Sequence, residues 1–249
     1  MSATPASVAS PAWRVLNFEQ VDSTNNIAGK QPPWHAIVAR QQTRGRGRHG
    51  RVWVSDEGGL WLSAVLPTPG PAEAWSILPL AAGWALREAL VGFGVRDLRL
   101  RWPNDLLVGP AKLAGILVER FQPDTAVVGL GLNHSNTPAA ADPTLSGLVT
   151  RLADLVQPTP TRETVLMAVL AHLAVAQQRI AAGRSAEFLP ALNTAWRPGR
   201  VAVTLHSSPT PLLGTFHGVT VQGHLRFAPD GGVERELPPS QVELLRELP

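Results

Sequence analysis

Gln42-Thr-Arg-Gly-Arg-Gly-Arg-His-Gly-Arg-Val-Trp53 is the stretch around which the rest of the chain can be read. Four arginines, Arg44, Arg46, Arg48 and Arg51, alternate there with Gly45, Gly47 and Gly50. Such a run cannot build a core, because glycine has no side chain to pack and arginine is costly to bury unpaired. Glycine lets the backbone bend and come close to a ligand, and the planar guanidinium suits carboxylate and phosphate. The flanks are strand-like: Trp34-His-Ala-Ile-Val-Ala39 runs in and Leu60-Trp-Leu-Ser-Ala-Val-Leu66 runs out. A loop held between two core strands is expected to be mobile and to close over an anionic ligand. Read without its flanks, it would also fit a disordered Arg/Gly segment that binds nucleic acid through charge.

Composition narrows the choice. A chain of 249 residues makes one large domain or two smaller ones. With 44% hydrophobic and 16% charged residues it can bury a core, and a net charge of only +3 makes the arginine loop a local concentration. A small anionic ligand fits that better than a long polyanion. The lack of cysteine excludes disulfides, thiolate zinc sites and a cysteine nucleophile, and fits a reducing compartment. No apolar run reaches the ~18 residues of a membrane span. Residues 1–12 are rich in Pro, Ser and Ala without signal-peptide character, so a frayed tail and a cytoplasmic protein without membrane contact are expected.

In chain order, Arg14 to Glu19 reads as a strand, and Val21-Asp-Ser-Thr-Asn-Asn26 as a helix start rich in capping residues. Those residues either cap the helix or offer neutral donors and acceptors to a polar, uncharged ligand group. A helix is expected over Trp75 to Val91, starting near Ser76 because Pro79 fits only a first turn. Val95 to Trp102 alternates as a half-buried strand and breaks at Pro103-Asn-Asp105. Lys112-Leu-Ala-Gly-Ile-Leu-Val-Glu119 and Thr125 to Asn133 read as strands carrying Gly115, Gly129 and Gly131 inside them. Interior strand glycines mark bulges or a face kept bare for close approach. Thr161 should cap a helix to Ala182, and Ser185 another ending near Trp196. From Val201 the pattern turns to short strands at Val201–Leu205, Leu212–Val219, His224–Ala228 and Val242–Leu245, a small all-β domain.

Ser23-Thr-Asn25, Gln42 with Gly45-Arg-Gly-Arg-His-Gly-Arg51 and Trp53, Arg101-Trp-Pro-Asn-Asp105, Lys112 to Glu119, and Gly129-Leu-Gly-Leu-Asn133 occur in that order. The set resembles the biotin–protein ligases, over about residues 14–249. The resemblance implies an α+β fold: a mixed sheet with flanking helices, like the class II tRNA synthetases, over residues 13–197, then an SH3-like barrel over 198–249. It implies two steps. Biotin and MgATP give biotinyl-5′-AMP, and a lysine of a biotin carboxyl carrier protein then takes the biotinyl group.

By the same resemblance, Ser23, Thr24, Asn25 and Gln42 meet the biotin ureido end, with Gly45, Gly47, Gly115 and Gly131 giving backbone approach. Arg46, Arg48 and Arg51 lie along carboxylate and phosphate, and Lys112 bridges the acyl and phosphate oxygens. Trp53 covers the adenine, with Asn104 and Asn133 near the nucleotide. Asp105 is a candidate base because it is a carboxylate near the site. Arg44 departs from the pattern, standing where a small residue is usual. Only about a dozen residues precede the first strand, too few for the winged helix of some relatives, so no sequence-specific DNA binding is expected. A homodimer is left open. A lipoate–protein ligase shares the chemistry, but the arginine loop and Trp-Pro-Asn-Asp argue against it.

Overall fold

The structure, a computed structural model, describes residues 11–196 and 199–248. All but the last two residues of the expected tail, and the first half of the Arg197–Arg200 linker, lie outside them.

β1 (Arg14–Val21), α1 (Thr24–Ala28) and β2 (His35–Gln42) form a parallel β-α-β unit, and the arginine loop leads from β2 to β3 (Leu60–Pro67). After α2 (Leu78–Gly92) come β4 (Leu98–Arg101), β5 (Asp105–Val108), β6 (Ala111–Gln122) and β7 (Thr125–Leu132). The strands lie in the order β1-β2-β3-β7-β6-β5-β4, and every pair but the first is antiparallel. The sheet is therefore mixed, as expected.

Strand periodicity divides this sheet into two faces. Leu60, Leu62, Ala64 and Leu66 of β3, Ala114 and Ile116 of β6, and Val128, Leu130 and Leu132 of β7 join the main core beneath the helices. The opposite face carries Trp61 and Ser63, then Gly129 and Gly131, then Gly115, Leu117 and Glu119. Ser63 pairs with Gly129 and Leu117 with Gly129; Trp61 pairs with Gly131, Gly115 with Gly131, and Asp105 with Gly115. Three strands thus place their small and polar residues in two adjoining rows on one face.

The core side is closed by α2 and by α4 (Arg162–Ala181), which follows the short α3 (Pro138–Ala141). α2 can lie close on the sheet because Gly83 has no Cβ; one would stand 2.8 Å from Leu100. The helix starts at Leu78 rather than Ser76, with residues 72–75 forming a 3-10 turn before it. α4 begins as expected, with the Thr161 hydroxyl accepting from Thr164 N–H at 3.1 Å. An 18-residue window of this 20-residue helix has mean hydropathy 1.3. In length and composition it could cross a membrane, although polar residues interrupt its apolar run. Here it packs on α2 and β3, with Val165, Val169 and Leu173 fully buried. Ser185 opens a 3-10 turn and does not cap α5 (Leu189–Ala195).

The C-terminal sheet is antiparallel, in the order β11-β10-β9-β8-β12: β8 (Arg200–Leu205), β9 (Ser208–Val219), β10 (Leu225–Pro229), β11 (Arg235–Leu237) and β12 (Val242–Glu247). The short β11 was not legible in the pattern. This domain docks on the first through the buried Trp102, whose Nε1 donates to Gly223 O at 2.9 Å. Asn193 Oδ1 accepts from Val219 N–H at 3.0 Å, and Arg99 forms an ion pair with Glu247 at 3.0 Å.

Candidate active site

A cleft of about 280 Å³ opens on the small-residue face of the large sheet. Its lining brings together nearly all the residues singled out in the sequence: Ser23, Thr24, Asn25, Gln42, Arg46, Gly47, Arg48, Arg51, Trp53, Asn104, Asp105, Lys112, Gly115, Gly131 and Asn133. Gly45 is the exception, and β12 adds a wall from Val242 to Leu245 that the sequence did not announce.

One end of the cleft is neutral and polar. Ser23 precedes α1 but its hydroxyl makes no cap bond. Capping alone therefore does not account for Ser23, which faces the cleft. Thr24 N–H donates to Gln42 Oε1 at 2.8 Å, and Gln42 Nε2 donates to Ser55 Oγ at 2.9 Å. Ser63, wholly buried on β3, donates to Asn25 Oδ1 at 2.5 Å, and Asn25 Nδ2 donates to Glu119 Oε2 at 2.6 Å. Gly129 is bare because the Asn25 carboxamide lies against it, in the space a Cβ would need.

The other end is cationic. Lys112 Nζ meets Asp105 Oδ1 at 2.7 Å, and Arg101 donates to Asp105 Oδ2 at 2.7 Å. Both oxygens of Asp105 are committed, so it is not the free base expected of it; it holds Lys112 in place. Arg48 reaches across the cleft and donates to Pro239 O at 2.9 Å and Val242 O at 3.5 Å. Burial lowers the pKa of its guanidinium, with Asp105 opposing and Arg51 adding to the shift. A cation stripped of water in this way interacts strongly with any anion that reaches it. Arg51 and Arg44 remain exposed.

Four other placements differ from expectation. Arg46 does not lie along a carboxylate and phosphate path: its guanidinium donates to Asn26 Oδ1 at 2.7 Å and stands 3.3 Å from Glu119, at the neutral end. Gly45 is not a ligand-approach position. A Cβ there would strike Ser55 Oγ and Trp53 O, because the two arms of the loop cross at this point, with Trp53 N–H donating to Gly45 O at 2.9 Å. Asn104 spends its side chain on Ile116 O at 2.8 Å. Asn133 spends its own on Thr150 O at 3.1 Å, so both asparagines shape the cleft wall from behind.

Trp53 lies across the bare glycines. A Cβ on Gly115 would stand 2.9 Å from its ring and one on Gly131 2.5 Å, and Lys112 Nζ is 4.9 Å from the ring centroid. The indole Nε1 is buried with no partner among the described residues. The shelf expected to admit a ligand is thus covered by the loop's own tryptophan.

The arginine loop itself is folded, with Gly47 N–H donating to Arg51 O at 2.7 Å and a 3-10 turn over Arg48–Gly50. His49 takes a left-handed backbone at φ 57° and packs edge-on against His206, ring centroids 4.9 Å apart.

Comparison with known proteins agrees with this geometry. A model of the Biotin/lipoate A/B protein ligase family matches residues 18–133. The biotin–[acetyl-CoA-carboxylase] ligase of Mycobacterium tuberculosis is 36% identical over 177 residues, 66% of this chain and 65% of that protein. That of Paracoccus denitrificans is 39% identical over 134 residues, 49% of this chain and 55% of that one. The chain thus spans less than two thirds of the length of these relatives. The biotin protein ligase of Aquifex aeolicus, solved in complex with biotin and ATP, superposes with a TM-score of 0.78 at 25% identity, over 94% of this chain and 99% of that one.

Proposed function

We propose that this chain is a biotin–protein ligase, which activates biotin with ATP and passes it to a lysine of a biotin carboxyl carrier protein; the family model over residues 18–133 and the likeness to ligases of that kind support the reading. The observation that carries this reading is one cleft with two unlike ends: neutral amides and hydroxyls at Thr24, Asn25 and Gln42, and cations at Lys112 and Arg48. A ureido ring with an acidic tail needs that pairing. A lipoyl dithiolane would leave the neutral donors and acceptors unmet, which is costly in a buried site.

In the first step a carboxylate oxygen attacks the α-phosphorus of ATP, and pyrophosphate leaves. Both reactants are anions, so charge must be neutralised as the bond forms. Lys112, paired with Asp105, stabilises the reacting oxygens in this reading. Arg48 exchanges its two carbonyl partners for phosphate. Mg²⁺, if it comes with the nucleotide, would add to the charge neutralisation that Lys112 and Arg48 supply; among the described residues no cluster of three His, Asp or Glu side chains could hold an ion alone. In the second step a carrier lysine amine attacks the acyl carbon, an amide forms and AMP leaves. The loop excludes water from the mixed anhydride between the steps. A cytoplasmic location and a carrier-protein partner belong to the same reading, and a homodimer remains open to it.

The test is biotin-dependent exchange of labelled pyrophosphate into ATP by the purified protein. Exchange with biotin but not lipoate is the expected result. Exchange only with lipoate, or none together with tight salt-sensitive oligonucleotide binding, would overturn the proposal.

A further inference from the structure

The hydrogen-bonded chain at the neutral end has a direction, and one residue sets it. Hydroxyls can donate or accept, and an amide can turn over, so Thr24, Ser63 and Asn25 cannot fix their own polarity. A carboxylate can only accept. Glu119 lies on the same face of β6 as Gly115, and its Oε2 takes the Asn25 Nδ2 proton at 2.6 Å. Asn25 must therefore turn Oδ1 toward Ser63, which spends its single proton there at 2.5 Å. The Thr24 and Ser63 hydroxyls lie 2.7 Å apart, and with the Ser63 proton spent on Asn25 the one Thr24 proton goes either to Ser63 Oγ or to Gln42 Oε1 at 3.1 Å. Arg46 gives Glu119 a counter-charge at 3.3 Å and is itself tied to Asn26.

From this we infer that Glu119 is a specificity-determining positioning residue: by fixing the polarity of Asn25 it makes the neutral end of the cleft present N–H donors to a carbonyl oxygen of the ligand. The inference rests on the reading of that end as the biotin ureido site. Each amide nitrogen has two protons. Asn25 gives one to Glu119 and Gln42 gives one to Ser55, so the second N–H of each has no acceptor among the described residues, and both side chains line the cleft. A turned-over Asn25 would point its oxygen at the Glu119 carboxylate, which forbids that state. With glutamine at 119 the penalty disappears, because that amide can donate to Asn25 Oδ1 as readily as accept from Nδ2.

The experiment compares pyrophosphate exchange with three ligands. These are biotin, its thiourea analogue (C=S for C=O, a weak acceptor) and the desthio analogue, which keeps the ureido group and lacks the ring sulfur. In Glu119→Gln the preference for biotin over the thiourea should fall about tenfold, the scale of one net hydrogen bond. The loss should appear in KM, with kcat and the preference over the desthio analogue unchanged. A second variant separates polarity from packing. Asn25→Asp combined with Glu119→Gln restores the pair with its direction reversed, the new amide at position 119 now donating. It should melt near the parent temperature and still lack the ureido preference. It also carries the test if the single variant does not fold. Retention of the parent preference in either variant, or an equal fall in both preferences, overturns the inference. Absence of any biotin-dependent exchange by the parent protein would instead overturn the functional reading beneath it.

Discussion

The two ends of the cleft are built by opposite means. At the neutral end Thr24, Asn25 and Ser63 are bonded to one another or to Gln42 and Glu119, from three strands and a helix. At the cationic end Arg51 is exposed, while Arg48 rests on two backbone carbonyls of the second domain. A ligand at the first end meets groups that are already oriented, so little ordering cost remains. A ligand at the second end replaces weaker partners: a phosphate is a better acceptor for Arg48 than the Pro239 and Val242 carbonyls. On the proposed reading, recognition would fall to side chains already bonded to one another, and charge neutralisation to a segment whose present contacts are substitutes.

Lys112 is where this contrast can be broken most severely, since it belongs to the cationic end and yet stands on a strand. Lys112→Ala should lower adenylation by at least ~100-fold, the scale of losing one electrostatic stabiliser. The fold should survive, because Arg101 still neutralises Asp105 at 2.7 Å. Single-turnover formation of biotinyl-AMP, with biotin affinity measured separately, checks it. Near-parental turnover would mean that Lys112 serves only to pair with Asp105.

Much of this site was legible because strands have a period of two. Once Gly115 is taken as facing the cleft, Leu117 and Glu119 must face it too, and so must Gly129 with Gly131. Glu119 could have been found that way, and Ser63 as the polar residue in an otherwise apolar strand. What could not be read was the use each residue makes of its place. Gly129 is bare for Asn25 rather than for a ligand, and Gly45 because the loop crosses itself; both depend on contacts that no local pattern announces. Arg46 has a long, rotamer-rich side chain, and only the fold shows that Asn26 and Glu119 hold it. The β12 wall lies more than a hundred residues beyond the loop it faces, and nothing in the sequence connects them.

A smaller effect should come from the tryptophan that joins the two ends. Trp53 covers Gly115 and Gly131 with its Nε1 unpartnered, so an arriving ligand must displace or share the ring. Trp53→Ala should raise the KM for ATP about tenfold or more, since a base–aromatic stack contributes roughly 1–3 kcal/mol. Biotin binding measured calorimetrically without nucleotide should be unchanged or tighter, because the shelf is now open. Equal weakening for both ligands would make the ring a packing element and remove the distinction between the ends.

The smallest expected effect tests whether the loop's contact with the second domain responds to pH. His49 has its pKa lowered by burial first, then by Arg48, His206 and Arg51, with Glu243 opposing. As pH falls below the ordinary histidine value of 6.5 the unfolded chain takes up a proton before the folded one does, so stability falls. Above that value the residue contributes no pH dependence. His134, also lowered by burial, adds an acid loss of the same sign that persists whatever stands at position 49. His49→Asn, which keeps a residue tolerant of the φ of 57°, isolates the loop's share. Because His49 is mostly solvent-exposed, screening keeps that share small. The drop in Tm between pH 7.5 and 5.5 should be less in the variant by about 1 °C. Amide exchange at Gly47 and Trp53, whose N–H groups close the loop, should accelerate with acid in the parent protein and less so in the variant. If both proteins lose stability and loop protection in step, the packing of His49 on His206 is indifferent to charge. Arg48 would then carry the loop's pH-independent hold on the second domain.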